Sequence, residues 1–542
     1  MNTVLLVHNT GVFSWQSSGN LSVKGYLYDR KDRFYEAEQL LEYFSGIISF
    51  ADLDEKVSFA NGCFSVIFHD KEELYIACDS IRAFPVFYIE FNGDWVVSDD
   101  PYRLLKDFGK PEPNDIGWDE FLASGFVTGY ETLIKGINQV QAGELIQLRK
   151  DGPRRKFFFS YRTHVTSEDE YPELRSLGID MLNNTFKRFI DGLKGRTVIV
   201  PLSGGYDSRL IAVMLKKFDY TRVVCITYGR PENPEIKVSR KVAEILGFKW
   251  ICVEHSDDLI RDFINDPYFR DFYPYASSLV SMFYLQEYFA LRYLKENKLI
   301  PDDSIFVPGH TGDFIGGRHL GKYANLQEFE NIRAIAERLF VFMYCYVRPR
   351  SGKKDMILDR IEKNLEEKFT GKPDLAYTIQ EDWEYKEKLA KFIANSVTTY
   401  TFFGYGFRLP YWDKELVSFF RTLPLHMKIN KYIYDDILTN EFFEPEGVNF
   451  DEELQATEKI IRRQRLKNRI KYFLPQYILR LFHSRLDNFY YYEITSVLVN
   501  DLARKGKKIK VFNNSYNSLI IQWYLEELKE NNFRNRKGEV EG

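Results

Sequence analysis

Short apolar runs separated by turn-forming pairs dominate the first third of the chain. The runs are residues 4–7 (VLLV), 64–68 (FSVIF), 74–78 (LYIAC), 86–89 (VFYI) and 95–97 (WVV). β-Branched and aromatic residues in such runs favour strands, and the Asn-Gly and His-Asp pairs between them favour tight turns. The pattern predicts an α+β module with layered β-structure over residues 1–150.

The pattern changes after a polar stretch at residues 151–168, which we predict to be a linker because such stretches favour exposed connections. Apolar runs then alternate with helical patterns. The predicted strands are 197–202, 221–228, 249–253 and 304–307, and the predicted helices are 207–217 and 235–246. Alternation of this kind predicts an α/β domain with a doubly wound parallel sheet, which we assign to residues 169–450. Residues 451–542 are predicted to be a mostly helical extension.

Composition narrows the classes of function. The 542 residues predict two or three domains, and 44% hydrophobic residues suffice for packed cores. The net charge of −4 argues against nucleic acid as a partner. Five scattered cysteines without C-x-x-C spacing argue against a disulfide framework or a zinc site and favour a cytoplasmic location. No run is long enough to span a bilayer. The oligomeric state is left open.

The sharpest motif is residues 201–209 (PLSGGYDSR), between a predicted strand and the helix after it. Gly204 and Gly205 let the backbone approach a phosphate chain, and the amides at the helix N-terminus point at the anion. Phosphate would repel the Asp207 carboxylate unless Mg²⁺ stood between them. The alternative is a tight strand-to-helix turn in which Asp207 only starts the helix.

This motif resembles the SGGxDS loop of asparagine synthetases and β-lactam synthetases, in which ATP is cleaved between its α and β phosphates. Further segments match in the same order: residues 306–317 (FVPGHTGDFIGG) are similar to the family's second glycine-rich loop, and residues 408–414 (RLPYWDK) to its R-x-P-F-x-D element. The resemblance implies that Asp207 and Asp313 ligate Mg²⁺ and that Lys431 contacts the phosphates. The nucleotide-binding residues that it implies are Leu202, Ser203, Gly204, Gly205, Asp207, Ser208 and Gly309.

The first module resembles the N-terminal-nucleophile glutaminase domain of the same family. The matching segments are residues 61–67 (NGCFSVI), 78–88 (CDSIRAFPVFY), 129–133 (GYETL) and 141–144 (QAGE). Glutamine hydrolysis in that domain needs a cysteine directly after the initiator Met, but this chain has Asn2 and no cysteine before Cys63. We predict a degenerate domain without glutaminase activity. The alternative, Cys63 as nucleophile, is disfavoured because a cysteine inside a strand is usually structural.

The reaction that the resemblance implies has two steps. A carboxylate attacks the α-phosphate of Mg-ATP and releases pyrophosphate, and an amine or ammonia then displaces AMP. Lys431 would offset charge at the phosphorus. His310 stands where asparagine synthetases have glutamate and β-lactam synthetases have tyrosine, so it is a candidate general base. The alternative is a neutral histidine hydrogen-bonded within the loop. Phe314 replaces an acidic residue, which argues against free aspartate as the substrate.

Residues 459–474 (KIIRRQRLKNRIKYFL) are basic, with apolar residues near helical spacing. This segment would either contact an anionic membrane surface or a polyanion, or pack one face on the synthetase domain, and we prefer the second. The first would favour a lipid-linked or glycan carboxylate over a small molecule.

Two functions remain. One is an AMP-forming carbon-nitrogen ligase of the asparagine-synthetase kind, using ATP and Mg²⁺. The other is a catalytically idle homologue that acts as a binding or regulatory partner. The intact loop, Asp313 and Lys431 favour the enzyme.

Overall fold

The computed structural model describes residues 3–7, 11–70, 73–322, 331–349, 352–366, 376–450, 487–509 and 516–531. The basic segment 459–474 and Asn2 lie outside the described residues. In the described part of the chain, no helix combines the length and the apolar character that crossing a membrane requires.

The first module consists of two sheets. Its strands are β1 (Thr3–Leu6), β2 (Gln16–Ser18), β3 (Leu21–Tyr28), β4 (Phe34–Glu36), β5 (Asn61–His69), β6 (Leu74–Cys78), β7 (Phe87–Phe91), β8 (Asp94–Ser98), β9 (Asn138–Gln139), β10 (Glu144–Arg149) and β11 (Gly152–Phe157). A 4-stranded sheet has the order β1-β8-β7-β9. A 7-stranded sheet has the order β11-β10-β6-β5-β3-β2, and β4 also pairs with β3. Every predicted strand of this module overlaps an observed one.

Alternating side chains stack these sheets into four layers of helix, sheet, sheet and helix. In β5, Ile67 belongs to the core between the two sheets, whereas Val66 packs in the core beneath the helix Phe50–Phe59. In β8, Val97 faces the other sheet, whereas Val96 packs with the cluster that contains the helix Pro101–Asp107. Successive side chains along each strand point to opposite faces of the sheet, so each face packs into its own hydrophobic core.

The predicted linker at residues 151–168 is wrong in its first half. Residues 152–157 form β11, which pairs antiparallel with β10 from Glu144↔Phe157 to Arg149↔Gly152. Half of this edge strand is charged, with Arg154, Arg155 and Lys156 in succession, and the strand is partly exposed. Charge protects a sheet edge from further pairing but removes the apolar alternation that identifies a strand in sequence. The domain boundaries themselves stay predictions.

The second part of the chain contains a 5-stranded parallel sheet in the order β14-β13-β12-β15-β16. Its strands are β12 (Val198–Pro201), β13 (Val223–Gly229), β14 (Lys249–Glu254), β15 (Ile305–Phe306) and β16 (Gly406–Phe407). The helices Tyr206–Lys217 and Pro234–Leu246 follow β12 and β13, so the predicted α/β alternation is confirmed. The strand order reverses between β12 and β15, where the loops after both strands lie side by side and ligands of such sheets bind.

Helices make up most of the remaining described chain. The other α-helices are Gln39–Tyr43, Asp115–Ser124, Tyr171–Asp191, Asp257–Ile260, Pro267–Ser277, Tyr288–Glu296, Gly312–Ile315, Ile332–Met343, Lys353–Glu366, Ala376–Trp383, Val397–Phe402, Lys414–Thr422, Leu425–Lys428, Tyr432–Ile437, Tyr491–Arg504 and Tyr516–Lys529. Two π-helices are Glu384–Ile393 and Leu438–Phe443. Short 3-10 helices are Phe263–Asn265, Arg318–Lys322, Ala394–Ser396, Pro410–Trp412 and Ile429–Lys431.

Residues 408–414 join the two parts of the molecule. Asp413 accepts hydrogen bonds from Arg188 Nε at 3.0 Å and from Asn61 Nδ2 of β5 at 2.8 Å. Arg408 donates to Glu36 of β4 at 2.6 Å, and its guanidinium lies 4.1 Å from the ring centre of Tyr26. The charged residues of this motif therefore dock the first module onto the parallel sheet.

Replacing Arg188 with Met should lower the free energy of unfolding by about 3–5 kcal/mol, because Asp413 would remain buried without its cation. The side chains of Arg188 and Asp413 are only 3% and 7% exposed. Arg33→Met removes an exposed ion pair with Glu42 and should cost at most about 1 kcal/mol. Chemical denaturation of both variants compares them, and equal losses would contradict a buried docking charge.

Candidate functional site

The loops after β12 and β15 are in direct contact. A Cβ on Gly309 would lie 2.6 Å from the backbone nitrogen of Ser208, and one on Gly312 would lie 2.6 Å from the carboxyl carbon of Asp207. Only glycine fits at these two positions without moving backbone or the carboxylate. The two glycine-rich motifs found in the sequence therefore form one site at the carboxyl ends of the parallel strands.

The first loop is held by its own serines. Ser203 N and Ser203 Oγ lie 3.0 Å from Ser208 Oγ, and Gly205 N donates to Ser203 Oγ at 3.1 Å. The helix Tyr206–Lys217 then begins without a side-chain cap. Its first N–H groups and the positive end of its dipole therefore face the loop opening, an arrangement that binds phosphate.

Asp207 is the centre of the site. Its Oδ2 accepts from the Asp313 backbone N–H at 2.7 Å, and its Oδ1 accepts from the Tyr434 hydroxyl at 3.0 Å. Lys431 Nζ lies 4.0 Å from Oδ1. Burial raises the pKa of Asp207 to about 6, the Lys431 charge opposes this rise, and the Asp313 carboxylate adds to it. Lys431 is shared between Asp207 and Asp435, and Arg318 Nη1 lies 3.4 Å from Asp313 Oδ2, so three carboxylates face two cations and leave a local excess of negative charge.

This excess suits a cation that arrives with a nucleotide. The described residues contain no group of three or more His, Cys, Asp or Glu side chains arranged to hold a metal by themselves. Mg²⁺ in nucleotide sites is commonly held by one or two carboxylates together with phosphate oxygens and water. Asp207 and Asp313 beside an amide-lined loop match that donor set.

Lys431 reaches the site because the backbone at Asn430 and Lys431 adopts an uncommon conformation. Asn430 and Lys431 have φ values of 58° and 63°, in the left-handed region that most residues avoid. The ammonium group pairs with Asp435 Oδ1 at 3.0 Å and lies 5.4 Å from the ring centre of Tyr206, inside the first loop. The sequence placed Lys431 in the site only through family resemblance, and the structure brings it there.

His310 lies in the wall of an adjoining cavity of about 580 Å³. Its Nε2 is 3.4 Å from Ser396 Oγ, and its Nδ1 has no hydrogen-bond partner among the described residues. The contact is with another element, so the alternative of a histidine bonded within its own loop is not observed. Burial lowers the pKa of His310 to about 4, so the ring is neutral at pH 7. Asp207, Asp313, Phe314, Lys388 and Ser396 also line this cavity.

Two tyrosines contact Asp207 but were absent from the predicted site. The Tyr411 hydroxyl donates to the Asp207 carbonyl at 2.7 Å, and the Tyr434 hydroxyl donates to the carboxylate. Both are fully buried and come from segments about 200 residues later in the chain. Their one sequence signal was position: Tyr411 lies within residues 408–414, and Tyr434 lies three residues after Lys431.

A buried carboxyl near the cavity also lacked a sequence signal. Glu287 Oε1 accepts from the Tyr228 hydroxyl of β13 at 3.2 Å. Burial raises the pKa of Glu287 to about 7, against the opposing effects of Tyr400 and Tyr228. Gln286 links this group to the cavity, because its Oε1 accepts from Tyr284, a cavity-lining residue, at 2.7 Å.

Fold and site together define an α/β protein with a glycine-rich anion loop at the switch point of a parallel sheet. The asparagine synthase family model matches residues 194–293, from just before β12 into the helix Tyr288–Glu296. The match includes the first loop. The predicted kinship with the asparagine synthetase family is thereby confirmed for residues 194–293. No match was found among curated proteins.

Three solved structures show only distant similarity. An allosteric regulatory enzyme of purine biosynthesis is 12% identical over 45% of this chain and 62% of its own, with a TM-score of 0.19. An NH3-dependent NAD synthetase from Campylobacter jejuni is 13% identical over 37% of this chain and 98% of its own, with a TM-score of 0.19.

A glutamine phosphoribosylpyrophosphate amidotransferase from B. subtilis is 10% identical over 54% of this chain and 63% of its own, with a TM-score of 0.18. The chain thus spans less than two thirds of the length of two of these proteins. Scores this low carry no argument about this chain.

Gly309→Ala should lower the free energy of unfolding by about 1–3 kcal/mol, because the new Cβ would press on backbone atoms of Ser208 that cannot rotate away. Gly204→Ala is the matched control in the same site. Its Cβ would meet Glu235 Cγ at 3.5 Å, an ordinary contact, so the change should stay within about 1 kcal/mol. Denaturant titration of both variants measures the difference, and tolerance of Ala at Gly309 would show that the loops are not in tight contact.

Glu287→Gln should stabilise the protein at pH 8 by about 3 kcal/mol and by less than about 1 kcal/mol at pH 5. Because folding raises the pKa of Glu287 to about 7, the folded state holds this proton more tightly, and stability falls as pH rises from about 4.5 through 7. Glutamine keeps an oxygen that can accept the hydrogen bond from the Tyr228 hydroxyl, but it has no ionisable carboxyl group. Unfolding curves at both pH values test this, and a gain that does not depend on pH would rule out the ionisation as its cause.

Proposed function

We propose that this chain is an asparagine-synthetase-like, AMP-forming ligase that adenylates a carboxylate, releases pyrophosphate and passes the acyl group to an amine or ammonia. The observation that carries the proposal is the meeting of Asp207, Asp313 and Lys431 beside the amide-lined loop. The family match over residues 194–293 supports ATP as the nucleotide.

In this mechanism the protein mainly positions charge. The loop from Ser203 to Ser208 holds the pyrophosphate that leaves, through backbone amides and hydroxyl groups. Lys431 Nζ balances negative charge that develops at the phosphorus. Asp207 and Asp313 would hold Mg²⁺, which supplies neutralisation of the phosphate oxygens when bound. The Tyr411 and Tyr434 hydroxyls keep the backbone and carboxylate of Asp207 in place.

The acceptor carboxylate and the amine occupy the cavity beside His310. In this proposal His310 accepts the proton that the amine loses as the C–N bond forms and AMP departs, which requires the bound substrates to offset the low pKa that burial gives the ring. Phe314 in the wall stacks on His319 with ring centres 4.2 Å apart, so this position offers an apolar surface rather than a charge. These features support a carboxylate other than free aspartate, either a small molecule or a glycan acid.

The first module does not supply the nitrogen in this proposal. Asn2 replaces the nucleophilic cysteine of a glutaminase. Cys63 is only 2% exposed, and burial raises the pKa of its thiol well above the ordinary value, so its reactive thiolate is disfavoured. The Arg408 guanidinium also covers Tyr26, which pairs with Cys63 across β3 and β5. The nitrogen then comes from free ammonia or from another amine.

Purified protein should release pyrophosphate from Mg-ATP when given a mixture of amino acids and sugar acids with ammonia. Asp207→Asn keeps the size of the side chain but removes its charge, and should reduce release by on the order of 100-fold or more. EDTA should abolish release in the native protein. Asp258→Asn, at a side chain that is 82% exposed and far along the chain, is the matched control and should retain full activity.

Two outcomes would contradict the ligase. Release that persists in Asp207→Asn would place the chemistry elsewhere. Absence of both release and calorimetric ATP binding would identify an idle homologue that acts as a binding or regulatory partner.

A further inference from the structure

The π-helix Glu384–Ile393 forms one wall of the cavity beside His310. Glu384, Lys388, Leu389 and Ile393 line it. These positions recur every four or five residues, which is the repeat of a helix with i→i+5 hydrogen bonds. A ten-residue helix of this kind is uncommon, and such turns occur frequently at functional sites. The shape of the cavity therefore depends on what holds this helix in position.

The opposite face of the helix is held by a buried ion pair. Lys391 and Glu387 are 1% and 0% exposed, and Lys391 Nζ lies 2.5 Å from Glu387 Oε2. Lys391 also donates to the carbonyls of Val127 at 2.8 Å and Gly129 at 2.7 Å. Glu387 Oε2 in turn accepts from the Gly129 N–H at 3.0 Å. Both charged groups thus bind the backbone of one short segment of the first module, residues 127–129.

That segment is itself fixed from its other side. The Thr128 N–H donates to Glu120 Oε2 at 3.1 Å, and Arg360 donates to the Thr128 carbonyl at 2.9 Å and to Glu131 at 2.7 Å. Glu120 is fully buried. Backbone groups held by charged partners on both sides have little freedom to move. Residues 127–131 are therefore a rigid support for the helix rather than a loose surface loop.

We propose that Lys391 and Glu387 are positioning residues of the acceptor site, through which the first module sets the shape of the cavity that receives the carboxylate substrate. The effect on substrate binding rests on the proposed ligase function. The contact of Lys391 and Glu387 with the first module does not depend on that function. It gives the first module a structural role, support of the cavity wall, and this role requires no nucleophile. The nucleotide loop is held by separate contacts, so its affinity for Mg-ATP does not depend on this pair.

Hydrogen exchange of the full-length protein without substrates tests the contact itself. In Lys391→Met, amides of residues 384–393 and 127–131 should exchange at least about tenfold faster, because Glu387 loses its buried partner, while the helix Tyr206–Lys217 keeps its protection. Lys388→Met, three residues earlier on the cavity face, is the matched control and should leave residues 127–131 unchanged. Unchanged exchange in Lys391→Met, or equally faster exchange throughout the chain, would overturn the proposal.

Glu387→Gln provides a milder variant in case Lys391→Met does not fold. Its amide oxygen can still accept from Gly129, and faster exchange in the same two segments is expected. In the pyrophosphate-release assay, both variants should raise the half-saturating concentration of the carboxylate mixture about tenfold or more while leaving that of Mg-ATP within about twofold. Equal changes for both substrates would indicate a general structural defect and overturn the positioning role. If native protein releases no pyrophosphate, the ligase function fails, whereas the exchange result still decides the contact.

Discussion

The close approach of two backbones at the carboxyl edge of the parallel sheet is the constraint on which the site depends. Gly309 and Gly312 let the loop after β15 lie against the loop after β12, and the Asp313 N–H then reaches the Asp207 carboxylate. A side chain at either glycine would separate the two acidic residues. The Asp313 carboxylate adds to the rise in the pKa of Asp207 that burial causes, and Lys431 opposes only part of that rise. The unbalanced negative charge at this point is the basis for proposing that the site takes a nucleotide together with a cation.

Buried charges join the two halves of the molecule alongside a shared apolar core, in which Phe13 of the first module packs on Phe407 of β16. Asp413 accepts hydrogen bonds from both Arg188 and Asn61. Arg408, at the edge of the parallel sheet, donates to Glu36 of the first module. On the opposite side, Lys391 binds the backbone of the first module directly. Because all of these side chains except the partly exposed Glu36 are buried, separating the modules would expose unpaired backbone groups and leave charges without partners. The first module can therefore contribute to the fold through these contacts alone.

Much of the architecture followed from local patterns. Alternation of strands and helices predicted the parallel sheet, and the boundaries of the helix Tyr206–Lys217 differ by one residue from those expected. The strands that were not predicted are β2, β3, β4, β9, β10, β11 and β16, and the last two show two different reasons. Strand β11 is a charged edge strand, whereas β16 is only two residues long and adds to the sheet about 100 residues after β15. Neither carries the apolar periodicity on which a sequence-based prediction relies.

The sequence by itself determined which residues could bind a nucleotide, because glycine, serine and aspartate must follow one another closely to build an anion loop. Family resemblance extended this to Asp313 and Lys431. Other contacts were decided by the tertiary structure alone. Tyr411 and Tyr434 donate hydrogen bonds to Asp207. His310 lies beside Ser396, and Lys391 donates to the backbone of the first module. These contacts join residues separated by 86 to 262 positions. Packing brings such pairs together through the folding of the whole chain, and no local spacing in the sequence encodes them.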